Sequence, residues 1–190
     1  GNNENLFCGA QDVSSYKEGA YTGELSASML RDNKIDFCLV GHSERRQYFA
    51  ETNNNVNIKC LNLIEENIIP VICIGETLEQ KEKNLTEEIL YTQIKDSIPN
   101  LANHQNALIA YEPVWAIGTG LTPTLDEINQ VHELIKILKE CNPKAIVDIQ
   151  VQDKLIVCDW ENDKPVFADE WLKIDDVQQD DNKEFVSIIT

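Results

Sequence analysis

Two short segments of the sequence combine residue types that could move a proton. In the first, Gly41-His42-Ser43-Glu44 follows an apolar run and precedes a stretch with the character of a helix start. The positive potential of a helix start disfavours a protonated imidazole, so we expect His42 to be neutral and able to donate one N–H to a carbonyl oxygen. A hydrogen-bonded histidine at a strand end, without a chemical role, is the alternative interpretation.

The second segment, residues 111–120, places the carboxylate of Glu112 at the end of an apolar run. Pro113 and Trp115 stiffen the chain that follows, whereas Gly118 and Gly120 permit backbone conformations that other residues resist. Such a segment is typical of a lid with an apolar face, and a carboxylate that loses water beneath a closing lid becomes a stronger base. An ordinary surface loop is the alternative.

Alternating strands and helices are predicted to position these segments. Short apolar runs occupy residues 6–10, 37–40, 71–74, 108–111 and 145–149. Between them lie stretches with helical periodicity, one of which opens with Thr124 and Glu127 in the pattern of a capping box. Short buried strands that alternate with helices predict β/α units and a parallel sheet.

Polar residues end the first four runs at what would be the carboxyl edge of the sheet. They are Gln11, His42, Glu76 and Glu112. Loops at this edge converge on ligands in parallel β/α folds, so the four positions predict one shared site. For Gln11 and Glu76 the alternative, that a polar residue simply ends an apolar run, stays open.

Charge and composition exclude several classes of function. The chain of 190 residues carries 33 acidic and 16 basic residues, a net charge of −17, so nucleic-acid backbones and anionic membranes would be repelled. A small anion remains possible because helix starts offer free N–H groups. Six cysteines without a C-x-x-C pair predict free, buried thiols in a reducing cytoplasm. No apolar stretch approaches the roughly 18 residues of a membrane span.

The last forty residues differ in character from the rest. Residues 151–190 contain 11 acidic and 4 basic residues. The runs 154–159 and 165–171, with a turn at Asn162-Asp163, predict a small β hairpin. We therefore expect a β/α domain over residues 1–150 and an unassigned acidic tail over residues 151–190.

Four strings carry a resemblance to a known family. VGHSERRQYFAET, VICIGETLEQ, AYEPVWAIGTG and GAYTGELSASML closely resemble the triosephosphate isomerase family, in the family's order and spacing. The resemblance covers about residues 7–139. It implies an incomplete TIM barrel with about four to five of its eight strands.

The resemblance also implies a reaction and the residues that perform it. Glu112 matches the base that moves a proton between neighbouring carbons of a small phosphorylated triose, and His42 matches the group that polarises the enediolate oxygens. Ser43 matches the residue that holds the base while the lid is open, and Glu44 a supporting carboxylate. Gly118 matches the lid glycine whose N–H contacts the substrate phosphate.

The assembly and setting follow from the same resemblance. Thr22 and Gly23 match the loop that the family inserts beside a partner subunit's active site, which implies a homodimer. The implied reaction interconverts glyceraldehyde 3-phosphate and dihydroxyacetone phosphate in glycolysis and gluconeogenesis, without metal or cofactor. Arg45 and Arg46 are expected to pair with carboxylates rather than with substrate.

Two parts of the family pattern have no match. The family's opening strand with its catalytic lysine lies before the matched region, and the two glycine-rich phosphate loops are not found after residue 140. The alternatives are therefore an impaired, truncated or fused remnant with a structural role, or a partial barrel that carries the acidic tail as an interaction module. A barrel completed by another chain is a further expectation left open.

Overall fold

A computed structural model describes residues 7–103, 105–141, 146–151, 154–159 and 164–167. Within these residues the strands are β1 (Gly9–Ala10), β2 (Phe37–Val40), β3 (Ile69–Ile74), β4 (Leu108–Tyr111), β5 (Ile146–Val151), β6 (Lys154–Asp159) and β7 (Lys164–Phe167). The helices are α1 (Ala27–Asp32), α2 (Ser43–Tyr48), α3 (Asn53–Glu65), α4 (Leu78–Glu82), α5 (Thr86–Ser97) and α6 (Leu125–Cys141).

One sheet joins all of the described strands in sequence order, from β1 to β7. Strands β1 to β5 are parallel, with registers such as Cys73 opposite Ala110. Strands β6 and β7 then add as antiparallel neighbours. The parallel β/α architecture expected from the sequence is confirmed, as a fragment of a TIM barrel.

Side chains from alternate strand positions separate into two clusters. In β3, Ile72 and Ile74 join the large core beneath the helices, whereas Val71 and Cys73 join a smaller cluster with Phe37 on the opposite face. This alternation follows from the two-residue repeat of a strand. Because both faces are apolar, the strands read as continuous hydrophobic runs, as expected for parallel sheets.

Local side-chain caps define where the two longest described helices begin. Thr52 and Asn55 form a reciprocal capping box at the start of α3. At α6, Thr124 Oγ1 accepts a hydrogen bond from the Glu127 N–H at 3.3 Å, and Glu127 Oε2 accepts one from the Thr124 N–H at 2.8 Å. The capping box predicted at Thr124 is therefore confirmed, and it fixes the point where the preceding loop ends.

Some boundaries differ from those expected. Strand β3 begins at Ile69 and not at residue 71, and β5 runs to Val151, so the strand crosses the expected division between residues 150 and 151. The predicted turn at Asn162-Asp163 lies outside the described residues. The division itself stays a prediction.

The thiol environments are only partly as expected. Among the described residues, Cys38, Cys60 and Cys73 are free and buried, and burial raises the pKa of each thiol. Cys8 is free but exposed, because β1 covers only the two residues that follow it. In the described part of the chain, no helix combines the length and apolar character that a bilayer crossing requires.

Candidate active site

Glu112 is fixed by the end of β4 and by a glycine that directly follows the neighbouring strand β3. Its N–H donates to the carbonyl of Ile74 at 2.7 Å. A β-carbon at Gly75 would lie 1.7 Å from the carbonyl oxygen of Glu112, so no other residue fits there without moving the backbone of Glu112. Only 6% of Glu112 is exposed. The close approach of these two backbones therefore holds the carboxylate at the carboxyl edge of the sheet.

His42 and Ser43 are positioned by the sharp turn between β2 and α2. Gly41 has a φ of +74°, a conformation that side chains disfavour. His42 is the N-cap residue of α2, and its Nδ1 accepts a hydrogen bond from the Glu44 N–H at 3.3 Å. This turn aims the imidazole and the Ser43 hydroxyl toward the end of β4.

The three side chains meet at the Glu112 carboxylate. His42 Nε2 lies 2.7 Å from Oε1, and the Ser43 hydroxyl donates to the same oxygen at 2.9 Å. The Ser43 backbone N–H donates to Oε2 at 3.0 Å. Since the residues are 69 positions apart in the chain, the fold alone brings Ser43 and Glu112 together. The arrangement is a buried carboxylate that accepts two hydrogen bonds from Ser43 and lies in direct contact with an imidazole.

The electrostatics of His42 differ from the expectation for a helix start. The hydrogen bond with Glu112 raises the pKa of His42 from its usual 6.5, and burial opposes that rise only partly. The direct carboxylate contact outweighs the potential of the short helix α2. The bond from the Glu44 N–H nevertheless requires an unprotonated Nδ1, which places the proton of a neutral His42 on Nε2, facing Glu112.

Of the other predicted site residues, only Glu44 has a contact with this cluster among the described interactions. Glu44 contacts His42 through its backbone, while its carboxylate is 67% exposed and lies 3.9 Å from Nδ1. Gly118 is exposed with a φ of +66° and open space where a side chain would be. Thr22 and Gly23 lie in an exposed loop before α1. The structure thus brings His42, Ser43 and Glu112 together directly, and Glu44 by its backbone.

Glu76 belongs to a second buried cluster, which the sequence did not reveal. Tyr111 donates its hydroxyl hydrogen to the Glu76 carboxylate at 3.1 Å, and Trp115 Nε1 donates to Oε1 at 2.9 Å. Burial raises the pKa of Glu76, although these donors act against the rise. The only signal in the sequence was that Glu76 is a polar residue at the end of an apolar run. Gln11 has the same position after its run and is exposed, so this signal does not distinguish a buried cluster.

The two arginines of α2 have different partners. Arg45 pairs with Asp12 and Glu51, both at 2.9 Å, as expected. Arg46 instead donates to the carbonyl of Gly41 at 2.7 Å and to Asn53 Oδ1 at 2.6 Å. The expectation of a carboxylate partner is wrong for Arg46, because its partly buried guanidinium donates to a backbone oxygen at the turn that carries His42 and to an amide oxygen at the start of α3.

The described residues contain no cluster of side chains that could hold a metal ion. Nowhere in that part of the chain do three or more histidine, cysteine, aspartate or glutamate side chains converge as a metal ion would require. The contacts at the Glu112 cluster place a carboxylate beside N–H donors, an arrangement that can transfer a proton.

Comparisons with known proteins identify the same family that the sequence motifs resemble. The triosephosphate isomerase family model matches residues 2–152. A triosephosphate isomerase from Clostridium tetani is 41% identical, with 91% of this chain and 67% of the relative covered. One from Xanthomonas campestris is 44% identical, with 90% and 67% covered, and one from Clostridium botulinum strain Loch Maree is 48% identical, with 70% and 54% covered.

The extent of these matches carries two consequences. Similarity continues beyond residue 139, where the sequence motifs stopped. The chain spans between about half and two thirds of the length of these curated relatives. Because the family model covers most of the chain, this protein belongs to the triosephosphate isomerase family.

Proposed function

We propose that this chain is an aldose–ketose isomerase that interconverts D-glyceraldehyde 3-phosphate and dihydroxyacetone phosphate. The observation that carries the proposal is the Glu112 carboxylate, which is buried and contacts both Ser43 and the imidazole of His42. Membership of the family and the names of its relatives support the substrate. The reaction moves one proton between adjacent carbons and one between the oxygens that they carry, and it needs no redox partner.

Glu112 acts as the base in this proposal. Its carboxylate takes a proton from the carbon next to the carbonyl, and the electron pair of the broken C–H bond forms the enediolate. The same carboxylate returns a proton to the neighbouring carbon. The hydroxyl proton passes to the former carbonyl oxygen as the new carbonyl forms, so substrate and product are isomers. A buried carboxylate suits this role because little water competes for the proton.

His42 stabilises the enediolate oxygens through its Nε2–H. The bond from the Glu44 backbone to Nδ1 supports this tautomer. A neutral imidazole is a donor well matched to a developing oxyanion, and a preformed donor needs no reorganisation during the reaction. Binding of substrate between Glu112 and His42 requires the carboxylate to leave the hydrogen bond that the two side chains share in this structure.

The remaining site residues have supporting roles in the proposal. Ser43 holds the carboxylate of Glu112 between turnovers, and the Gly118 N–H binds the substrate phosphate when residues 113–124 close. Glu44 contributes its carboxylate to the surroundings of His42. The exposed loop with Thr22 and Gly23 contacts a second copy, so the working form is a homodimer. The free thiols of the described cysteines fit a cytoplasmic location.

Turnover of glyceraldehyde 3-phosphate by the purified chain tests the proposal. Glu112→Ala removes the base and is expected to lower kcat by roughly 100-fold or more. The matched control is Glu79→Gln, a carboxylate on α4 with 76% of its side chain exposed, which should leave turnover unchanged. Equal activity of the wild-type chain and Glu112→Ala, as host contamination would give, contradicts the proposal and favours the impaired remnant.

A further inference from the structure

A single lysine contacts both ends of the segment that follows Glu112. Lys81, on α4, places its Nζ 3.3 Å from the centre of the Trp115 ring. The same Nζ lies 2.6 Å from Glu127 Oε1 in the first turn of α6. Trp115 stands near the start of residues 113–124 and Glu127 just after their end. One ammonium group therefore bridges the two ends of this loop from a third element.

Each end of the loop has further anchors. Trp115 is only 7% exposed and donates its indole N–H to Glu76. Glu127 accepts from both the N–H and the hydroxyl of Thr124, at 2.8 and 3.0 Å. The two contacts of Lys81 thus connect two rigid points, the buried indole and the helix cap, across the gap that the loop spans.

The middle of the loop has a different character. Ile117 and Leu121 are 37% and 48% exposed, and Gly118 and Gly120 both have positive φ. A β-carbon at either glycine would meet no atom within 4 Å. Fixed ends with an exposed, glycine-containing centre are the arrangement expected of a segment that moves between hinges.

The physical strength of the bridge comes from sharing one cation. A lysine over an indole face and a lysine–carboxylate pair are each modest when exposed. Here both contacts use the same side chain, so the entropic cost of ordering one lysine is incurred once for two contacts. The Lys81 side chain is 31% exposed, which weakens screening by water compared with a free surface pair.

We propose that Lys81 is a positioning residue that bridges Trp115 and Glu127 and thereby sets how readily residues 113–124 move over Glu112. The bridge itself depends only on the contacts above. Its effect on catalysis rests on the proposed isomerase function. Lys81 touches neither Glu112 nor His42 in any described contact, so it acts through the loop and not on the reacting atoms.

Hydrogen exchange of the amides in residues 114–124 tests the bridge without reference to activity. Lys81→Gln is expected to speed exchange in this segment about fivefold, because both contacts of the ammonium are lost. Lys81→Arg keeps a cation and should retain most of the protection. The matched control is Lys83→Gln, which removes an exposed lysine of the same region that pairs with Glu79 at 2.5 Å, and should leave the segment unchanged.

Two exchange results would overturn the bridge. One is exchange in Lys81→Gln equal to that of the wild-type chain. The other is equal acceleration in Lys83→Gln, which would mean that any lost charge loosens the region. Circular dichroism of each variant establishes that the fold is retained.

Steady-state kinetics tests the effect on the reaction. Lys81→Gln is expected to change kcat and KM together by a fewfold, with recovery in Lys81→Arg and no change in Lys83→Gln. Faster exchange with unaltered kcat and KM would overturn the catalytic part of the proposal. A wild-type chain without turnover would contradict the proposed function instead, while the exchange experiment would still decide whether Lys81 bridges the loop.

Discussion

Glu76 and Glu112 follow neighbouring parallel strands, and both carboxylates are buried, yet their surroundings differ. Glu112 accepts its hydrogen bonds from the first turn of α2, where a hydroxyl, a backbone N–H and an imidazole meet. Glu76 accepts from two aromatic side chains that lie on β4 and just after it. The donors to Glu112 are small or partly exposed, whereas those to Glu76 are large and buried.

The difference indicates how one residue type serves two purposes at one sheet edge. When Glu112 moves away, water can reach the His42 side chain, which is 26% exposed. When Glu76 moves away, the Tyr111 hydroxyl and the indole N–H of Trp115 lose a partner in a buried place, which is costly. Glu112 is therefore suited to change its contacts during a reaction, and Glu76 to hold the strand and the loop.

The largest expected effect is that of Glu76→Ala on stability. Two buried donors lose their acceptor and a cavity remains, so the free energy of unfolding should fall by about 2 to 3 kcal/mol. Glu112→Ala is the matched variant and should lose only about 1 kcal/mol, since its donors are more easily hydrated. Urea unfolding followed by far-UV circular dichroism measures both. Equal losses would remove the distinction drawn between the two carboxylates.

A smaller effect is expected for Ser43→Ala, which tests the hold on Glu112. Loss of the hydrogen bond from the hydroxyl to Oε1 should cost about 1 kcal/mol of unfolding free energy. Ser97 provides the control, because its buried hydroxyl has no hydrogen-bond partner among the described residues. Ser97→Ala should leave stability unchanged or raise it. A larger loss for Ser97→Ala than for Ser43→Ala would contradict the assignment.

The smallest expected effect on stability is the pH dependence that His42 contributes. Its raised pKa means that the contact with Glu112 stabilises the fold fully below pH 6.5, and that this contribution is lost as pH rises through the raised value. Glu112→Gln should lower the pKa of His42 and flatten this slope. NMR titration of the imidazole protons measures the shift, with Glu79→Gln as the unaffected control. An unchanged or higher pKa in Glu112→Gln would show that Glu112 is not the cause.

Sequence patterns were sufficient for the parallel β/α architecture and for two residues of the Glu112 cluster, His42 and Glu112 itself, whereas Ser43 was named only through the family resemblance. A polar residue at the end of an apolar run, such as His42 or Glu112, is predicted to lie at the carboxyl edge of the sheet, and its residue type indicates the chemistry that it could perform there. The partners of Glu76 lie 35 and 39 positions away and belong to apolar stretches, so nothing local distinguishes their polar atoms. The same limit applies to Arg46, whose oxygen acceptors on Gly41 and Cys73 belong to the backbone.

Strand boundaries were less predictable because their cause is tertiary. Pro70 would end a strand by its own preference, but it lies within β3 opposite Cys38. Burial of the surrounding side chains outweighs the missing N–H. The direction of the His42 pKa shift was likewise set by a contact between distant residues, and not by the helix start that the sequence displays.

The sequential order of the sheet has a consequence for how the chain acquires its structure. Each described strand pairs with the strand that precedes it in sequence, from β1 through β7. Each of the described strands β2 to β7 therefore finds the strand before it already made when it emerges from the ribosome. Loop closure at each step spans a single connection, which keeps the entropic cost of every addition low. The fold can grow in the direction of translation, with the Glu112 cluster complete as soon as β4 has docked beside β3.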